Sequence, residues 1–274
     1  MLTVQTNTAA ITALKNINTN SINMNQSLNR LSSGFRVNSA ADDAAGFAVA
    51  SKLNGQAAKL KAASLNATQA QAMVKMAEAG VNEIQNMVVR LQSLAIQGAS
   101  ANNSTDLARL KDEATKLESA IDKIAGGTKY NGTALLKAGS SSTFQVGATN
   151  NANDQITVDF SQAYDTTGLS ITAASTAFAS ASSAQTMITT MDSALTTLVT
   201  QRAKLGAASN QLGFVNANLA TSIEQTQASV SAIKDADMAA EMANFTKNKI
   251  LTQAGTSMLA QANQTAQNVL TLFR

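Results

Sequence analysis

Between Ile188 and Ile233, fourteen successive positions fall at spacings of three or four. They are Ile188, Met191, Leu195, Leu198, Arg202, Leu205, Ser209, Leu212, Asn216, Leu219, Ile223, Thr226, Val230 and Ile233, and ten are apolar. A stripe of that length predicts one long helix packed along a single face. The chain also has no proline in 274 residues, so no ring clash or missing N–H interrupts a helix anywhere. Aromatic residues make up 4% against 45% hydrophobic, which favours thin aliphatic seams between helices over a bulky core.

Three further stripes share this period. One runs Leu14, Ile17, Ser21, Met24, Leu28, Leu31, Phe35, and another runs Met73, Ala77, Gly80, Ile84, Met87, Leu91, Leu94. The third runs Leu107, Leu110, Ala114, Leu117, Ile121, Ile124, entered through Asn103 and Asp106 as a capping box and ended by "GGTKYNGT". Residues 126–172 then turn to Gly, Ser, Asn and Thr. Two alternating runs there, "TFQVG" at 143–147 and "QITVDF" at 155–160, flank a turn-rich "ATNNAND". They predict a β-hairpin, the one piece of β structure expected. After the long stripe, "KDAD" at 234–237 breaks the helix. The last segment carries Met238, Met242, Phe245, Leu251, Met258, Leu259, Ala262, Ala266, Val269, Leu270 and Phe273 on a broad apolar face.

The pattern is symmetric about the hairpin. It predicts a mainly α fold: an elongated antiparallel helical rod or coiled coil with a small mid-chain β-hairpin and both termini at one end. The boundaries expected are residues 1–38 with 235–274 as one domain, and 39–234, with the hairpin at about 143–160, as the other. At the first break, "RLSSGFRVNSAADDAAGFAVASKL" (30–53) reads as a helix–loop–helix. Gly34 supplies a left-handed C-terminal cap and Ser39 caps the next helix, with Asp42 and Asp43 in its first turn. No partner ligand near these aspartates supports a catalytic or metal reading.

Composition removes most chemistry. With no His and no Cys, there is no Ser-His-Asp triad, thiol catalysis or His/Cys zinc site. No enzyme, cofactor or metal is expected. The net charge is +3, with Lys and Arg scattered rather than concentrated, so nucleic acid is not an expected partner. No run of about 18 apolar residues exists to span a membrane. The opening "MLTVQTNTAAITALKNIN" lacks the charged start and apolar core of a cleavable signal peptide. Export, if it occurs, is expected by another route.

The stretches "NRLSSGFRVNSAADDAAGFAVASKL" and "DADMAAEMANFTKNKILTQAGTSMLAQANQTAQNVLTLFR" resemble the two terminal signatures of bacterial flagellin, and "VQTNTAAITALKNINTN" fits the same pattern. The resemblance covers roughly residues 1–137 and 180–274. It departs at Ala266, where the family often has proline, and at Leu272-Phe273, where a Leu-Leu ending is common. It implies an inner domain of both termini lining the filament channel, an outer helical domain with a β-hairpin, and no additional outer variable domains. It also implies assembly into the extracellular flagellar filament used for swimming, after export through the flagellar type III apparatus. The partners implied are further copies of the chain, an export chaperone, and the cap and hook-junction proteins. Some flagellins carry a zinc peptidase in the middle, and the lack of His excludes that here.

Combined with the stripes, this points to Leu14, Ile17, Met24, Leu28, Leu31, Met242, Phe245, Met258, Leu259, Val269, Leu270 and Phe273 as polymerisation residues. Ordering the terminal segments costs more than two thin helices recover by burying their faces on each other, so folding coupled to self-assembly is expected. In flagellins sensed by a Toll-like receptor of vertebrates, a stretch like "VRLQSLAIQ" and a following Glu form the contact, which here implies Arg90, Leu94 and Glu113. Arg90 lies off the Met87–Leu91–Leu94 stripe, whereas Leu94 lies on it and reads equally as core. A hook–filament junction protein shares the N-terminal pattern and is the alternative function. A chemoreceptor-like signalling coiled coil would need membrane spans or a helical tip, and a membrane-active toxin a more continuous apolar stretch.

Overall fold

A computed structural model describes residues 6–100, 106–137, 141–172 and 174–272, with the backbone alone at 174–175 and 266–272. The fold is mainly helical. Helices α1 (Thr8–Ser33), α2 (Ala44–Gly98) and α3 (Leu107–Gly127) precede strands β1 (Lys129–Tyr130), β2 (Thr133–Ala134), β3 (Ser142–Gln145) and β4 (Gln155–Val158). A short α4 (Ala174–Ala177) leads into α5 (Ala181–Lys234) and α6 (Met238–Leu272). The chain divides into two compact units, residues 58–223 and residues 1–57 with 224–274.

In the unit of residues 58–223, the stripes become a core. Ile84, Leu91 and Leu94 of α2, Ile121 of α3 and Leu198, Leu205 and Leu212 of α5 are all buried. Polar side chains bond across from α5 to α2, two of them, Arg202 and Asn216, from the long stripe. Ser64 Oγ and Asn216 Oδ1 are 2.7 Å apart, Arg202 donates to Gln85 at 2.8 Å, and Gln92 donates to Asp192 at 2.5 Å. The residue numbers in these pairs run in opposite order, so α2 and α5 pack antiparallel. Such rungs fix the register of the two helices.

The hairpin pairs β3 with β4 antiparallel, Ser142 opposite Val158 through Gln145 opposite Gln155. It is shorter than expected because Gly147 and Phe160 fall outside the ladder. Asp154 closes its tip by accepting the Thr149 N–H at 2.9 Å. A second pair, β1 with β2, lies where the sequence suggested only a helix end. Asn131 and Gly132 both have positive φ, 47° and 83°, the backbone of a two-residue turn that favours Asn-Gly.

Two cap assignments also change. Gly34 is left-handed, with its N–H on the Arg30 carbonyl, as expected. Asp43, not Ser39, caps α2, by accepting the Gly46 N–H at 2.9 Å. Ser39 instead donates its N–H and Oγ–H to Asp42 at 2.9 and 3.0 Å. These bonds hold the Asp42 carboxyl below the ordinary range, the backbone one foremost. At the far end of α2, the partner of the proposed capping box, Asn103, lies outside the described residues. Asp106 makes no side-chain cap bond to α3.

Candidate functional site

Both breaks of the chain meet in the unit formed by residues 1–57 and 224–274. The Arg36 N–H donates to the Lys234 carbonyl at 2.6 Å, and the Ala236 N–H donates to the Gly34 carbonyl at 3.0 Å. The Lys234 ammonium lies 4.6 Å from the Phe35 ring centroid, a cation–π contact. Asp237 then caps α6 through the N–H groups of Ala239 and Ala240, at 2.9 and 3.1 Å.

From this junction α1 and α6 run together. Asn7 Nδ2 donates to the Ala262 carbonyl at 2.9 Å, and a Cβ on Gly255 would lie 2.7 Å from Ile17 Cγ1. Arg30 sits 3.8 Å from Glu241. The numbers climb on one helix as they fall on the other, so the pair is antiparallel. Covered positions on α6 are Glu241, Phe245, Asn248, Thr252, Gly255, Leu259 and Ala262, which alternate spacings of four and three without a slip. On α1 they include Ala10, Ala13, Ile17, Asn20, Met24, Ser27 and Leu31.

This seam is built mostly from small and polar side chains. It uses Ile17, Met24, Leu31, Phe245 and Leu259 of the expected polymerisation set, whereas Leu14, Leu28, Met242 and Met258 are exposed. Other large aliphatics join them outside: Ile11 and Ile22 on α1, Ile250 and Leu251 on α6. Ile11, Leu14, Ile22 and Leu28 fall within about a third of the helix circumference at 3.6 residues per turn. An open groove of about 450 Å³ between the helices is lined by Ala13, Asn16 and Asn20 of α1 and by Leu251, Gly255 and Met258 of α6. Apolar spacing did not reveal this groove; a glycine inside an otherwise helical stretch was the available signal. Val269 and Leu270 lie on α6 beyond its described side chains, and Phe273 lies outside the described residues.

The second candidate cluster is on α2 and α3. Arg90 donates through Nε and Nη2 to one Glu113 oxygen, at 2.8 and 2.6 Å, and both side chains stay about half exposed. Leu94 is 1% exposed and belongs to the core. Among the described residues no group of His, Cys, Asp and Glu is placed to hold a metal, and no helix is long and apolar enough to cross a membrane.

Residues 4–141 match the bacterial flagellin N-terminal helical region, and residues 188–273 match the bacterial flagellin C-terminal helical region. The chain belongs to the bacterial flagellin family. A flagellin of Bacillus subtilis (strain 168) is 35% identical, with 98% of each chain covered. The flagellar filament 33 kDa core protein of Treponema phagedenis is 33% identical, again with 98% of each covered. The crystal structure of Bacillus cereus flagellin covers 57% of this chain and 88% of its own, at 28% identity and a TM-score of 0.49. Flagellins are structural proteins rather than enzymes, and this one is a subunit that polymerises into the flagellar filament. Nothing in the comparisons favours the hook-junction alternative.

Proposed function

We propose that the α1/α6 pair is the polymerisation element of this flagellin, with residues 1–38 and 235–274 as the inner domain of the filament and 39–234 as the outer one. The supporting observation is the division of labour within the pair. Small and polar residues make most of its internal seam, beside Ile17, Met24, Leu31, Phe245 and Leu259, while Ile11, Leu14, Ile22, Leu28, Met242, Ile250, Leu251 and Met258 stay exposed. Apolar surface of this extent on one slender element costs free energy in water until another body covers it. Identical neighbours in an open, heterologous array supply that cover.

The thin seam also favours coupling of folding to assembly, since two facing helices recover little of their ordering entropy. Deleting residues 258–274 is then expected to abolish filaments. Amide exchange in the truncated chain should still show protection at 73–125 and 188–233. Polymerisation of the truncated chain at the intact chain's critical concentration would refute the proposal. In the intact monomer, 8–33 and 238–265 are expected to exchange quickly and to become protected in filaments.

The family membership supports an extracellular subunit used in swimming, exported by the flagellar type III apparatus and attended by a chaperone, the cap and hook-junction proteins. For a vertebrate innate receptor, the exposed Arg90–Glu113 pair is the surface this reading offers, since Leu94 is in the core. Arg90→Ala is expected to lower receptor activation severalfold with filament yield unchanged, measured in a reporter-cell assay on monomer. No response to the intact monomer would reject that contact.

A further inference from the structure

We propose that Met242 and Met258 are oxidation sites at which a peroxide-class oxidant withholds unassembled subunits from polymerisation. The inference rests on the assignment of the α1/α6 pair as the assembly element, and it adds a chemical control to that surface.

The chain has ten methionines and no cysteine, so thioethers are its only oxidisable sulfur. Their placement is uneven. Met73, Met187 and Met191 are buried in the core of the unit 58–223, whereas Met238, Met242 and Met258 on α6 are 45%, 52% and 65% exposed. Met258 also lines the groove between α1 and α6, with Ala13, Asn20 and Gly255. Oxidation of methionine follows access to the sulfur, so Met258 and then Met242 are the first targets among the described methionines. Met76 on α2 is exposed to a similar degree, 43%, but lies outside the α1/α6 pair and serves as an internal control.

In the reaction a sulfur lone pair attacks one oxygen of hydrogen peroxide. The O–O bond breaks as the S–O bond forms, and the second oxygen leaves as water with the proton of the first. Sulfur loses two electrons and the peroxide gains them. The product is a polar sulfoxide on a stiffer, chiral side chain. A thioether fills an irregular apolar contact well; a sulfoxide brings a strong acceptor whose desolvation costs free energy wherever an apolar face of a neighbouring subunit covers it. In the filament the same sulfurs are covered, so assembled subunits are spared while free ones are blocked, and reduction of the sulfoxide restores them.

The test is mild hydrogen peroxide treatment of the full-length monomer, with peptide mass spectrometry to locate sulfoxides and sedimentation to measure the critical concentration. Met242 and Met258 are expected to convert well before Met73, Met187 and Met191. The critical concentration should rise at least about tenfold, equivalent to 1.4 kcal/mol per subunit. Methionine sulfoxide reductases A and B together should return it to the starting value. In a chain carrying Met238→Leu, Met242→Leu and Met258→Leu, near-isosteric swaps that cores tolerate, peroxide should leave the variant's own critical concentration unchanged although Met76 is oxidised. Unchanged assembly with Met242 and Met258 fully converted overturns the proposal, as does a peroxide effect that persists in the leucine variant or resists the reductases. Assembly that survives both peroxide and deletion of 258–274 refutes the interface assignment itself. Assembly that survives peroxide and fails on truncation refutes only the oxidation control.

Discussion

The sharpest consequence of the α1 geometry concerns two leucines of one helix that should affect different properties from their neighbours. Leu14 and Leu28 are 58% and 51% exposed, although apolar spacing groups them with Ile17, Met24 and Leu31, which face α6. Fully burying a leucine stabilises by about 1.5–3 kcal/mol, so covering the remaining half of each is worth about 1 kcal/mol and the pair about 2. The double variant Leu14→Ala, Leu28→Ala should therefore raise the critical concentration roughly thirtyfold, at about 1.4 kcal/mol per decade. Alanine is the better helix former, so α1 itself is not weakened, and the seam residues Ile17, Met24 and Leu31 are left in place. Sedimentation of polymerised samples at graded concentrations measures the effect, with circular dichroism of the monomer as the control. Ile17→Ala provides the contrast, because Ile17 packs on Gly255 inside the pair and its loss should loosen α1 from α6. A critical concentration within threefold of the starting value for the double variant would show that Leu14 and Leu28 are not covered in the filament.

Two further outcomes follow from the rest of the molecule. Leu91→Ala removes a fully buried side chain of the 58–223 core and should cost about 2–5 kcal/mol, seen as a lower denaturant midpoint. Asp42 is depressed below the ordinary carboxylate value chiefly by the Ser39 N–H and then by the Ser39 hydroxyl. A carboxylate depressed in the folded state adds stability at pH above its unfolded value, about 4, and loses it as pH falls through the lower folded value. Ser39→Ala should move the Asp42 titration up toward the ordinary value, as followed by carboxyl NMR shifts.

How much of this was legible in the sequence depends on the size of the side chains at each seam. The α5 stripe was legible from end to end because leucines and isoleucines mark it, and its polar members Arg202 and Asn216 proved to be rungs to α2. The first half of α2 showed no stripe before Met73, yet the helix starts at Ala44. Its buried positions there include Ala50, Ala57, Ala63, Ala67 and Ala70. In an alanine-rich stretch, buried and exposed positions carry the same residue, so no periodic contrast appears. The β1/β2 pair was too short to show alternation; only "NG" announced it, and that was read as a helix stop. Capping by Asp43 was missed because Ser39, Asp42 and Asp43 are all good cap residues, and only the backbone path selects among them.

The α1/α6 pair shows a different limit. Spacing tells which side chains share a face of a helix, but not which body covers that face. In a monomeric fold the two questions have one answer, because the largest aliphatics go to the nearest internal partner. Here the large apolar side chains are divided: the internal partner takes Ile17, Met24, Leu31, Phe245 and Leu259 among small residues such as Ala10, Ala13, Ser27, Gly255 and Ala262, and leaves Leu14, Leu28, Met242 and Met258 outside. Such an arrangement is unfavourable for an isolated chain, since it spends little apolar area on its own seam. It is consistent for a subunit whose terminal helices must remain weakly paired until neighbours arrive. A stronger internal seam, such as one with leucine at Ala13 and Ala262, would stabilise the monomer and withdraw surface from the contacts that the proposed interface needs.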